Sequence, residues 1–223
     1  MNRREFLEVA STGTAVAALG RCAAAQPDAD PLNIRTNFPV VDEGTYLDAP
    51  YITPSPRAAT EAGCQFIEAK SRGPVALGKM LEKKEAVRSQ FANLVGSAPD
   101  EIGFLSATSD GENTIANALD LKPGDNVVLD ELHFSTSYIL YRQLEQTRGI
   151  ELRIAKAEDG AVRVDAFEPL VDGRTRLISV AWVSHQNGFL HDIDALADLA
   201  HGAGAYLYAD AIQAAGMVPI DVQ

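Results

Sequence analysis

Between Glu101 and Asp210, short apolar runs alternate with amphipathic segments roughly ten residues long, a pattern that few folds accept. The apolar runs cover 102–106, 126–129, 151–155, 176–183 and 205–209. Each is too short for a buried helix and has the composition of a strand buried on both faces. The segments between them, 111–119, 135–148, 166–171 and 193–202, read as helices; the second has Tyr138, Tyr141 and Leu144 on one side. Such alternation predicts right-handed crossovers and an α/β fold, a mostly parallel sheet flanked by helices.

In sheets of that kind ligands bind outside the carboxyl ends of the strands, so the turns that follow the apolar runs are where chemistry is expected. The last run ends in Asp210, with Gln213 three residues on. A carboxylate there can pair with a protonated ring nitrogen and an amide can donate to a ring oxygen; equally, the Asp can simply cap the next turn. The turn Ala107-Thr108-Ser109-Asp110-Gly111 opens a helix with small hydroxyl residues. It suits a phosphate, which helix N-termini attract, and it also suits ordinary N-capping. It is neither a Walker loop nor a dinucleotide fingerprint. Asp130 to Ser135 sets His133 and Phe134 side by side at a strand end, where either ring can stack on a planar ligand or serve the core. Ser184-His185-Gln186-Asn187 is a polar cluster after a wholly apolar strand. Together these strand ends fit a flat, phosphorylated, nitrogen-containing ring.

Upstream, 26–40 is rich in Pro and Asp and reads as extended, and 46–50 as a short strand entering a loop. Helices are predicted from 57 to 70 and from 81 to 95, with an interruption at 71–74 and Gly96 as the C-cap of the second. The first 25 residues read as an address. Arg3-Arg4 precedes Phe6-Leu7, a mildly apolar run and the small-residue site Ala23-Ala24-Ala25, the layout of a bacterial twin-arginine export signal. That implies a periplasmic or secreted protein, with no membrane attachment once the signal is removed. The organisation expected is a signal at 1–25, an N-terminal arm at 26–56 and a ligand-binding domain at 57–223.

The formal net charge of −12 disfavours nucleic acid as a partner. Cys22 and Cys64 are the only cysteines, and their spacing suggests neither a zinc site nor a disulfide framework; no metal is expected.

From about Tyr46 to the last residue the chain resembles the class V aminotransferase group of pyridoxal-phosphate enzymes, which includes cysteine desulfurases and kynureninases. The resemblance rests on Ala107-Thr-Ser-Asp-Gly-Glu-Asn113, on Gly124-Asp125 with the strand after it, and on the segment from Leu199 to Gln213. It implies the large domain of a fold-type-I enzyme with pyridoxal 5'-phosphate as cofactor. Thr108 and Ser109 would hold the phosphate, Asp210 the pyridinium nitrogen, and Gln213 the phenolic oxygen. The stacking position falls on Phe134 by ungapped counting and on His133 with a one-residue slip. His185 stands where desulfurases carry an Asn, a departure that leans towards transaminase-, lyase- or epimerase-like relatives. The resemblance further implies an amino-acid substrate processed through an aldimine and a carbanion, and a homodimer at full length. The family's Schiff-base lysine is expected beyond Gln223, before a C-terminal small domain. The chain is therefore expected to be the front part of such an enzyme, inactive alone. A non-catalytic secreted α/β domain that binds a ligand is the alternative.

Overall fold

A computed structural model describes residue 30, residues 32–49 and residues 52–223. The expected export signal lies outside the described residues, as does Pro50. The chain divides into two units, one ending at Gly73 and the other running from Pro74 to Gln223.

In the first unit a short helix, α1 (Val40–Glu43), precedes α2 (Arg57–Arg72). Pro56 is the N-cap residue of α2; its φ of −68° and extended ψ suit a helix entry. Arg57 ties the unit together by donating to the Thr36 carbonyl and to Asp42 at 3.1 and 3.2 Å. Of the short strand expected at 46–50, the described residues 46–49 form none; residues 44–48 are irregular.

The second unit begins with α3 (Leu77–Val95), four residues longer at its start than the apolar spacing predicts. Gly96 closes it in the left-handed region at φ 73°. Then follow α4 (Thr108–Ala118), β1 (Asn126–Asp130), α5 (Ser135–Arg148), β2 (Glu151–Ala155), β3 (Thr175–Ala181), α6 (Ile193–Gly202) and β4 (Tyr206–Asp210). All strand pairings are parallel, in the order β2-β1-β3-β4. The chain leaves β1 for β2 on one side and returns to β3 on the other. The strand order therefore reverses between β1 and β3, where α/β sheets open a crevice for ligands.

Alternation along the strands divides the core into two layers. Val127, Leu129, Leu152 and Leu177 pack with Ala116 of α4 and with Tyr141 and Leu144 of α5. Val128, Ile178 and Val180 pack on the other face with Leu196 and Ala200 of α6 and with Val162 and Phe167. α6 starts where its sequence directs: Asp192 is the N-cap and accepts from the Ala195 N–H at 3.1 Å.

Two expected elements are replaced. Residues 102–106 form no strand, because no neighbour pairs with them. The Ile102 carbonyl accepts from the Arg88 guanidinium, and the Phe104 ring lies under Lys84 and Arg88 at 5.5 and 5.1 Å. The short helix expected at 166–171 is instead two 3-10 turns, Val164–Ala166 and Glu168–Leu170, with Pro169 in the second. Proline lacks the N–H that a continuous helix would need there.

Candidate functional site

The carboxyl ends of β1, β3 and β4 and the N-terminus of α4 bring the predicted groups into the same part of the fold. β4 sets Asp210 opposite Ala181 of β3, and the Asp210 carbonyl accepts from the Trp182 N–H at 2.9 Å. Its side chain is buried, at 8% exposure, and accepts the Ile212 N–H at 3.0 Å. Burial pushes this carboxyl above the usual range, with the turn N–H and the nearby His185 offsetting part of the rise. No lysine or arginine is ion-paired to this carboxylate among the described residues, which suits a cationic ring nitrogen.

The turn after β1 carries the two rings. Phe134 is 40% exposed and meets His185, from the turn after β3, edge to face at 5.0 Å. The two turns are tied together beneath these rings. The Ser184 hydroxyl donates to the Leu132 carbonyl at 3.1 Å, and the Gln186 amide donates to that of Glu131 at 3.2 Å. His133, next to Phe134, is fully buried; its Nε2 lies 2.9 Å from Ser179 Oγ, and its Nδ1 accepts the Phe134 N–H at 2.7 Å. Burial drives its imidazole down to about 3, so it is neutral at ordinary pH. Gln213 follows in the turn after β4.

α4 begins at Thr108, so Thr108 and Ser109 sit inside its first turn rather than before it. Its N-cap residue is Ala107, whose side chain cannot cap. Asp110 and Gly111 both direct their N–H to the Ala107 carbonyl, at 3.1 and 3.3 Å. The first-turn N–H groups of Thr108 and Ser109 have no carbonyl within their own helix to satisfy them, and the positive end of the helix dipole adds to their pull on an anion. A Cβ at Gly111 would meet Leu105 Cδ1 at 3.2 Å, a tight contact with the end of an exposed side chain.

Four polar residues central to this region escape the motif reading. Glu112 is 3% exposed and accepts from Ser137 Oγ at 2.6 Å and from Ser179 Oγ at 3.0 Å. Glu112 lies one helical turn before buried Ala116, and Ser179 interrupts an apolar strand. A charge on a buried helix face and a hydroxyl inside a core strand are signals that patterning alone can supply. Asp130 and His191, on the opposite face of the sheet, are also buried, with Nε2 and Oδ2 3.6 Å apart. Among the described residues no group of three or more His, Cys, Asp and Glu side chains is placed to hold a metal ion.

This architecture, with a carboxylate at one strand end, rings at two others and an open helix N-terminus, defines an α/β cofactor-binding domain. The family model for class-V aminotransferases matches residues 45–223. The chain belongs to that family. It is 31% identical over 198 residues to a probable cysteine desulfurase of Methanothermobacter thermautotrophicus, covering 86% of this chain and 49% of that protein. It is 32% identical over 207 residues to a cysteine desulfurase of Klebsiella pneumoniae, covering 85% and 51%. Among solved structures, the cysteine desulfurase CsdA of Escherichia coli superposes with a TM-score of 0.78 at 26% identity, over 87% of this chain and 51% of that one. A variant of the protein C-DES with glycine covalently linked to its PLP cofactor shares the fold, with a TM-score of 0.74 at 18% identity, over 84% of this chain and 51% of that one. The chain thus spans about half the length of the relatives it matches.

Proposed function

We propose that this chain is the cofactor-binding part of an enzyme that acts on an amino-acid substrate. The cofactor is pyridoxal 5'-phosphate, as family membership implies. The observation that carries the reading is Asp210: a buried carboxylate at a strand end, within electrostatic reach of His185 and of Glu112 in α4.

The residues fit that cofactor. Thr108 and Ser109 would bind the phosphate through first-turn N–H groups and hydroxyls. Phe134, held by the Ser184–Leu132 bond, would support one face of the ring, with His185 at its edge. Asp210 would hold a proton on the ring nitrogen, and Gln213 would orient the phenolic oxygen. So held, the ring withdraws electrons from the substrate's α-carbon, which is the chemistry the cofactor supplies. Burial of Asp210 excludes water and strengthens its attraction for the cationic nitrogen. The reaction belongs to the transamination, elimination and epimerisation group; desulfuration of cysteine is the member that the named relatives support.

Two further readings go with this one. Residues 1–25 support export of the folded protein by the twin-arginine route, and family likeness supports a homodimer at full length. Among the described residues no helix is long and apolar enough to cross a membrane.

The test has two stages. The chain is titrated with pyridoxal phosphate while cofactor absorbance and competition by inorganic phosphate are followed. Saturable, phosphate-competed binding is expected. Phosphate binding without cofactor binding would favour a non-catalytic binding domain. The product of the longest reading frame is then given cysteine and other amino acids, and sulfide, keto acid and racemised amino acid are assayed.

A further inference from the structure

We propose that Glu112 is a positioning residue of the cofactor site: it terminates a one-way hydrogen-bond relay that fixes the aromatic turn against α4, and it sets a second buried carboxylate behind Asp210 that favours a protonated ring nitrogen. The inference rests on the reading that the site takes a pyridoxal-type cofactor.

The direction of the relay follows from its first link. The Phe134 N–H donates to His133 Nδ1 at 2.7 Å, so the proton of the neutral imidazole sits on Nε2. Nε2–H then donates to Ser179 Oγ at 2.9 Å, which leaves the serine hydroxyl to donate to Glu112 Oε1 at 3.0 Å. Ser137, in the first turn of α5, donates to Oε2 at 2.6 Å. The relay thus joins the turn that carries Phe134, the middle of β3, the helix that opens at Thr108 and the start of α5. Every member has its partner, and the chain ends on an acceptor.

Glu112 also lies on the Asp210 side of the sheet. Ser179 is paired in register with Tyr208, and Asp210 is two residues further along β4, on the same face. The Asp210 charge contributes to holding the Glu112 carboxyl above its usual range, after burial itself. No ion pair joins either carboxylate to a lysine or arginine among the described residues. Two like charges in a buried site are costly unless one takes a proton or a cation arrives. A protonated ring nitrogen against Asp210 is such a cation, and Glu112 strengthens the field that holds its proton without touching it.

The probe is pyridoxamine 5'-phosphate, labelled with 15N in the ring, which binds without a covalent link. Its affinity and the pH at which the bound ring nitrogen loses its proton are measured for the wild-type chain, Glu112→Gln and Ser179→Ala, with thermal unfolding as the folding control. Glu112→Gln is expected to lower that pH by about one unit and to weaken binding about tenfold. Ser179→Ala keeps the charge and breaks the relay. It is expected to weaken binding severalfold, leave the ring-nitrogen pH within a few tenths of wild type, and alter the His133 Nε2–H resonance.

A folded Glu112→Gln with wild-type affinity and wild-type ring-nitrogen pH overturns the proposal. Should Glu112→Gln not fold, Ser179→Ala decides: unchanged affinity overturns the positioning role. A wild-type chain that binds inorganic phosphate but not pyridoxamine phosphate overturns the cofactor reading, and the inference with it. Glu112 failing alone leaves that reading standing.

Discussion

The two ends of the sheet treat their polar groups in opposite ways. At the amino end, Asn126 donates to Asp172 at 2.9 Å, and Thr175 donates to Asn126 at 2.8 Å while accepting the Asp172 N–H at 2.9 Å. Arg153 completes the set with ion pairs to Asp172 and Glu151, both at 2.9 Å. The Arg174 N–H, then Arg153, hold the Asp172 carboxyl down to about 2. At the carboxyl end, burial instead pushes Asp130 and Asp210 up. Asp130 Oδ2 and both His191 nitrogens have no hydrogen-bond partner. Groups at the amino end satisfy one another and hold the fold. Those at the carboxyl end are left needing a proton or a ligand, as binding sites tend to be.

The largest effect expected from this contrast is at Asp210. Asp210→Asn keeps an acceptor for the Ile212 N–H and removes the charge. Cofactor affinity should fall about a hundredfold, the scale of a buried charge-assisted bond, with the unfolding midpoint unchanged or raised. Equal affinity in a binding titration would remove Asp210 from the site. Next is Thr175→Val, which conserves volume but orphans Asn126 Oδ1 in a fully buried place and takes the acceptor from the half-buried Asp172 N–H. Urea unfolding should show a loss of about 2–3 kcal/mol, with cofactor affinity of the folded protein unchanged. If affinity dropped in proportion, the two ends would not be separable.

The parallel sheet was legible from its two central strands, β1 and β3, which are buried on both faces, and from the helices between the runs; the edge strands β2 and β4 are only partly buried. The irregular path of 102–106 was not. Phe104 and Leu105 look like strand residues, and only the tertiary positions of Lys84 and Arg88 show that no partner strand is available. Within the site, the polar groups after β3 and β4 could be picked out from His185 and Asp210, since the fold class says where to look, and Thr108 from the helix it opens. His133 and Phe134 could not be told apart, because two adjacent rings differ only in which one the turn buries. Glu112 and Ser179 went unread: their partners are 67 positions apart in sequence and meet only when α4 packs on β3.

A third way to sharpen the contrast is pH. Burial lifts the Asp130 carboxyl to about 7 and depresses His191, so burial favours the neutral form of each partner. A folded-state pKa above the unfolded one means that the contribution of Asp130 is complete below its ordinary value and is lost as pH rises towards 7. Asp172, depressed in the fold, acts in reverse and loses its contribution as pH falls towards 2. Unfolding free energies near pH 5 and near pH 7 should therefore diverge less in Asp130→Asn than in wild type, by roughly 2 kcal/mol. An unchanged slope would mean that Asp130 finds a partner in solution.

The smallest effect, and the one that separates the two rings, belongs to Phe134. Exposed at 40%, it adds little to the core, so Phe134→Ala should cost under about 1 kcal/mol of stability. Its loss should nevertheless weaken cofactor binding about fivefold, the scale of one aromatic contact, with Phe134→Leu in between. Were His133 the platform, Phe134→Ala would leave affinity untouched. Burial separates the two rings: His133 is 1% exposed and has no open face towards the crevice, whereas Phe134 is 40% exposed.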